Sequence, residues 1–137
     1  MKKLKYLIFI LALPMQQVSA NECILAGKWA PEIEKSNTSI LKSKILTKEQ
    51  KTRLVAAGPT LSNVIIVNTC HDFTIFQNGT KETTKLINVK TDGNIVIAEY
   101  YHKAEKRVVS TKSVLLGDCY YVDVTEHDFK DYYCKSK

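Results

Sequence analysis

No stretch of this chain stays apolar over the length a membrane helix needs. The longest such run, centred on Tyr6 to Leu13, covers roughly ten residues against the ~20 that cross a bilayer, so no stable membrane anchor is expected. Cysteine is sparse, four residues in 137 with no Cys-x-x-Cys spacing, which leaves no redox motif. The three histidines have no nucleophile or metal ligand at a diagnostic spacing. No basic stripe interleaved with aromatics marks a nucleic-acid surface. The expectation is therefore a protein without catalytic residues, metal ligands or cofactor, and without a nucleic-acid partner. With only five glycines and three prolines, each one is worth reading as a turn signal.

What is present begins at the N-terminus. Lys2, Lys3 and Lys5 form a positive segment, Tyr6 to Leu13 an apolar core, and Val18-Ser19-Ala20 a small-residue cleavage site. This is the pattern of a secretory signal peptide over 1–20, with the mature chain starting at Asn21. Cys23 follows Glu22, where a lipoprotein signal needs a small residue, so it reads as a disulfide half. The three lysines carry half of the net charge of +6, which leaves a mildly basic, ordinarily solvated surface. The lysine-rich start is bacterial in style, so the expected location is periplasmic or secreted; the sequons at Asn37 and Asn78 stay unmodified in the periplasm and are candidate acceptors in a eukaryotic secretory route. In an oxidising compartment Cys23, Cys70, Cys119 and Cys134 become candidates for two disulfides. The 117 residues of 21–137 are the size of one domain.

Between Pro31 and Pro59 the chain is rich in Lys, Glu and Ser and lacks β-branched alternation. Thr47-Lys48-Glu49-Gln50 fits a capping box, which predicts a helix over about 48–57. Gly58-Pro59 is expected to stop it, the glycine taking the left-handed conformation. A second short helix is expected over Ser39 to Lys44, making a helical insertion at about 39–57.

From Asn63 onward, apolar segments recur about every ten residues between turn signals, the signature of an antiparallel β-meander curled into a barrel or half-barrel. Val64 to Val67 reads as a strand buried on both faces. Phe73–Phe76, Lys81–Lys90, Asn94–His102 and Arg107–Leu116 follow, broken by Asn78-Gly79, Asp92-Gly93, the polar turn Lys103 to Lys106, and Gly117-Asp118. Around Asp92-Gly93 a two-residue loop sets Val89 opposite Val96. A three-residue loop sets Val89 opposite Ile95, Ile87 opposite Ile97 and Lys85 opposite Glu99. The second register, which gathers more apolar area and a charge pair, is preferred.

The final hairpin is a near mirror image about Glu126-His127. It pairs Val124 with Phe129, Asp123 with Lys130, Val122 with Asp131, Tyr121 with Tyr132, Tyr120 with Tyr133 and Cys119 with Cys134. Opposed strand residues lie within disulfide reach, so Cys119 is expected to bond Cys134, leaving Cys23 for Cys70.

Gly27-Lys28-Trp29 near the mature start, followed by a helical insertion and a meander, resembles the lipocalin and calycin group. The resemblance implies a barrel closed at one end by Trp29, with a lumen for a small apolar ligand. Six tyrosines occur as the adjacent pairs Tyr100-Tyr101, Tyr120-Tyr121 and Tyr132-Tyr133. Strand alternation sends one member of each to the core and one to the surface. Trp29, Tyr100, Tyr121 and Tyr132 are the candidate binding residues. His71, His102 and His127, with Asp72, Asp123 and Asp128, are the only catalytic inventory, and their turn positions suit solvated residues. The expected function is a non-catalytic periplasmic binding module of lipocalin-like shape, for a small apolar ligand or a partner protein. The alternative is an inhibitor or immunity-type protein that neutralises a periplasmic toxin or hydrolase through exposed tyrosines.

Overall fold

The computed structural model describes residues 23–137; the expected signal peptide and cleavage site lie outside them. Eight antiparallel strands run in chain order: β1 (Gly27–Pro31), β2 (Ile65–Asn68), β3 (Asp72–Gln77), β4 (Thr80–Asp92), β5 (Ile95–His102), β6 (Arg107–Leu116), β7 (Cys119–Val124) and β8 (Phe129–Lys135). Each strand pairs with the next, and β1 also pairs with β8, so the sheet closes into a barrel. Closure removes the open edges that a half-barrel would leave unpaired.

The seam at β1 is short. β1 matches β8 only from Trp29 opposite Lys135 to Pro31 opposite Tyr133. Beyond it the outward backbone groups of β8 would lack partners, and helix α1 (Ile33–Lys42) supplies them. The Glu32 N–H donates to the Tyr132 carbonyl at 2.7 Å, the Tyr132 N–H donates to Ser36 Oγ at 2.8 Å, and the Lys130 N–H donates to Ser39 Oγ at 2.7 Å. One turn further on, Ser43 Oγ donates to the His127 carbonyl at 2.6 Å. Serines at 36, 39 and 43 share one face of a helix, so a stripe of hydroxyls stands in for a missing strand.

That arrangement explains why α1 begins at Ile33, six residues before the expected Ser39. Glu32 makes no side-chain cap, and the helix is held by tertiary bonds to β8, which leave no local start signal. Helix α2 (Lys48–Ala57) matches its expected span, with both arms of the Thr47–Gln50 capping box formed. It buries no residue and is held by that cap and by the Arg53–Glu49 ion pair one turn apart. Gly58 does not take the left-handed conformation; its φ of −51° continues the chain into a 3₁₀ turn over Gly58–Leu61. Its lack of a side chain has a different cause, since a Cβ would sit 2.9 Å from Ile33 Cγ2.

The Asn78-Gly79 hairpin forms as expected, Gln77 opposite Thr80 with positive φ at both loop residues. The β4–β5 hairpin takes neither considered register. Its loop is Gly93-Asn94, Asp92 faces Ile95, and Val89 faces Ala98. Lys85 lies opposite Asp72 and Glu99 opposite Asn88, so the expected Lys85–Glu99 pair is absent. A bulge between Leu86 and Asn88 turns Ile87 outward, 61% exposed. The bulge shifts the pleat, so an area count over a regular ladder selects the wrong pairing. The Val64 to Val67 run is not buried on both faces: Val64 is buried, but Ile65, Ile66 and Val67 are half-buried.

Every expected pair of the β7–β8 hairpin is present, from Val124–Phe129 to Cys119–Cys134, around a loop in which Asp128 is left-handed. Cys119 and Cys134 are disulfide-bonded. Cys23 and Cys70, the expected second pair, lie near each other without a disulfide bond between them.

Candidate functional site

Alternation along the strands sorts the side chains into a lumen and an outer face. The barrel holds a half-open cavity of about 280 Å3 whose wall is largely apolar, including Ile66, Ile75, Val89, Val96, Ala98 and Val122. Eight strands leave an interior just wide enough for side chains or one small ligand, and the volume lies near the low end of the ~300–1,000 Å3 usual for small-molecule sites.

One end of this lumen is built by aromatic packing. Trp29 is fully buried, donates its indole N–H to the Leu25 carbonyl at 2.9 Å, and meets Tyr120 edge-on at 4.8 Å between ring centroids. Tyr120 in turn stacks on Tyr133 at 5.1 Å. Tyr120 and Tyr133 line the cavity, whereas Trp29 lies behind Tyr120. Trp29 therefore supports the wall and does not itself line the cavity.

Polar side chains also meet the lumen among these rings. Asn68 Nδ2 donates to the Tyr120 hydroxyl at 3.4 Å, a long bond. The Tyr133 hydroxyl donates to Asp131 Oδ2 at 2.8 Å, and Ser36 Oγ donates to Asp131 Oδ1 at 3.1 Å. Burial pushes the Tyr120 phenol up to about 12, with the Asp131 charge adding to the rise and the Asn68 bond opposing it. Burial and the Asp131 carboxylate raise Tyr133 well above the ordinary phenol value. Tyr100 is raised by burial first and then by Glu105. All three hydroxyls thus stay protonated at neutral pH.

Each tyrosine pair splits as alternation requires. Tyr100, Tyr120 and Tyr133 line the lumen, while Tyr101 is 51% exposed and Tyr121 and Tyr132 meet each other on the outer face at 5.5 Å. Lys130 Nζ stands 4.5 Å over the Tyr121 ring. Of the candidate binding residues, Tyr100 thus belongs to the cavity with Phe73, edge-on at 5.3 Å. Tyr121 and Tyr132 belong to the surface. Tyr132 also borders a larger, open groove of about 1080 Å3 between α1 and the β7–β8 hairpin, where Lys35, Lys42, Lys44 and Lys130 alternate with Glu32, Glu34, Asp123 and Asp128. The smaller cavity is the less open and more apolar of the two, which is why it is the candidate site.

The histidines are brought to no common cleft. His71 lies in the β2–β3 turn at one end of the barrel, and His102 and His127 lie at the other. Asp72 is held by Thr69, whose hydroxyl donates to its carboxylate at 2.9 Å and accepts from the His71 and Asp72 N–H groups. His102 Nδ1 accepts from the Glu105 N–H, and Asp128 Oδ2 accepts from the Lys44 N–H. Asp123 faces Lys112 across the outer surface at 3.9 Å. These side chains shape turns and surface. Among the described residues no group of three or more His, Cys, Asp or Glu is placed to hold a metal ion.

Asp131 is the site residue that sequence reasoning overlooked. Its signal was there: the mirror hairpin sets it opposite Val122, a carboxylate on the face that otherwise carries Tyr120, Tyr133 and Val124. At one mouth of the same lumen, Cys23 lies against Cys70, and burial, then the contact with Cys70, pushes its thiol up to about 12. No helix among the described residues is long and apolar enough to cross a membrane. Compared with protein-family models, curated proteins and solved structures, the chain matches none of them.

Proposed function

We propose that this protein is an exported, non-catalytic binding module of lipocalin-like shape that holds one small, mainly apolar molecule in its barrel. The observation that carries the reading is the half-open cavity of about 280 Å3 within the barrel, apolar along most of its wall, with Asn68, Tyr120, Tyr133 and Asp131 gathered among its aromatic rings. A few fixed polar groups in an apolar pocket orient a ligand while burial supplies the affinity. The Gly27-Lys28-Trp29 resemblance and the N-terminal signal pattern support the same reading. The test is titration of the native protein with a hydrophobic fluorescent probe. Saturable one-to-one uptake, displaced by a small alcohol, is the expected result. Absence of uptake, together with stoichiometric recovery of one protein from periplasmic extract, would overturn it.

The inhibitor or immunity-type reading draws on a different observation, the Tyr121–Tyr132 ring pair with Lys130 above it on the outer face. Two rigid rings and a cation are suitable anchors for a protein partner. Loss of that partner on Tyr132→Ala, with the lumen still taking up probe, would favour it.

A second disulfide also belongs to the exported state. Cys23 and Cys70 each give up one proton and together two electrons to an oxidised dithiol carrier, joining the segment before β1 to the β2–β3 turn. Cys70, the exposed one of the two, is the sulfur accessible to the carrier. Non-reducing peptide mapping of protein from an oxidising compartment is expected to find Cys23 joined to Cys70.

A further inference from the structure

Among the described residues, the lumen contains a carboxylate and no cation. Within that same set no Lys, Arg or His lines the cavity, and Asp131 enters no ion pair. Its oxygens accept only from the neutral hydroxyls of Ser36 and Tyr133, one bond each, so each keeps acceptor capacity. The surrounding wall is rich in aromatic rings: Tyr120 stacked on Tyr133, and Phe73 edge-on to Tyr100. Ring faces attract cations, and an anion in an apolar cavity attracts them more strongly than one in water. The same field repels a second carboxylate. A ligand ammonium would balance the Asp131 charge where the protein itself offers no partner.

Resting on the carrier reading above, we infer that the lumen selects a small apolar molecule bearing a protonated amine. Its ammonium meets Asp131 and the rings of Tyr120 and Tyr133, its hydrocarbon lies along Val89, Val96 and Ala98, and carboxylates such as fatty acids are disfavoured. The Ser36 bond couples this carboxylate to α1, because the same hydroxyl accepts from the Tyr132 N–H. Asp131 is thereby fixed in position before a ligand arrives.

The experiment is calorimetric titration of the intact protein at neutral pH with hexylamine, hexanol and hexanoate, which share one hydrocarbon chain and differ in the head group. The amine is expected to bind at least tenfold more tightly than the alcohol, and the carboxylate at least tenfold more weakly than the alcohol. In Asp131→Asn the amine and alcohol should come within about threefold, since charge attraction is lost and shape is kept. Hexanoate binding as tightly as hexylamine, or an amine preference that survives in folded Asp131→Asn, would overturn the inference. Hexanol binding with no amine preference would overturn it while leaving the carrier reading standing. Failure of all three to bind would sink the carrier reading and this inference with it. Should Asp131→Asn not fold, the ranking in the unsubstituted protein decides the question alone.

Discussion

Tyr120 and Tyr121 are neighbours in one strand, yet one is 4% exposed against Trp29 and the other stands on the outer wall beneath Lys130. Tyr133 and Tyr132 repeat the contrast across the hairpin, and Tyr100 and Tyr101 repeat it on β5. Residue type does not separate the two faces; the pleat does. Because the period of a strand is two, a single wall carries an aromatic lumen and an aromatic surface at once. The inner face has the buried hydroxyls, the lone carboxylate and the cavity, and those are the properties that make a binding site.

The contrast can be broken most severely from the inside. Trp29→Ala removes the fully buried indole behind Tyr120 and should cost about 3–5 kcal/mol in urea unfolding, the usual range for losing a large aromatic from a core. Separating the outer-face bond by replacing Cys119 and Cys134 with serine should cost about 3 kcal/mol, the loop-entropy value for a loop of fifteen residues. Oxidised and reduced wild-type melts give the same comparison without substitution.

Alkali tests the inner face by chemistry. A buried phenol with a raised pKa stays protonated longer in the folded state than in the unfolded one. Its stabilising share is therefore complete below pH 10 and lost as pH rises toward the folded value of about 12. Tyr120 alone should account for about 3 kcal/mol over that window. Tyr120→Phe should flatten the alkaline fall in stability. Ser36→Ala is expected to cost roughly 1–2 kcal/mol, because it deprives the Tyr132 N–H and one Asp131 oxygen of a partner. Tyr121→Ala on the outer face should cost under about 1 kcal/mol, the worth of an exposed cation–π contact, and should leave lumen binding intact.

How much of this was legible depended on whether a structure is decided locally. The β7–β8 ladder and its disulfide could be read because the outer pairs Tyr121–Tyr132, Tyr120–Tyr133 and Cys119–Cys134 match residue for residue about one turn, so no other register aligns the cysteines. The α2 start could be read because its capping box is complete within four residues. The split of each tyrosine pair followed from alternation alone. In contrast, the β4–β5 register hung on a bulge at Ile87, which no pairing count over a regular ladder includes. The α1 start was hidden because its hydrogen-bond partners lie on β8, more than ninety residues away in sequence. Barrel closure depends on the same distant bonds and so stayed undecided between barrel and half-barrel. Asp131 was visible as a charge opposite Val122, but its meaning depends on the cavity having no cation, which only the closed wall reveals.

The most direct test of the lumen as binding site is methyl NMR of the intact protein titrated with hexanol, a ligand whose binding depends on shape and burial without charge. The account predicts saturable shifts at the inward methyls of Val89, Val96, Ala98 and Val122, with Ile87, Ile97 and Val108 on the outer face unmoved. Shifts confined to the outer methyls, or none at any concentration, would contradict it.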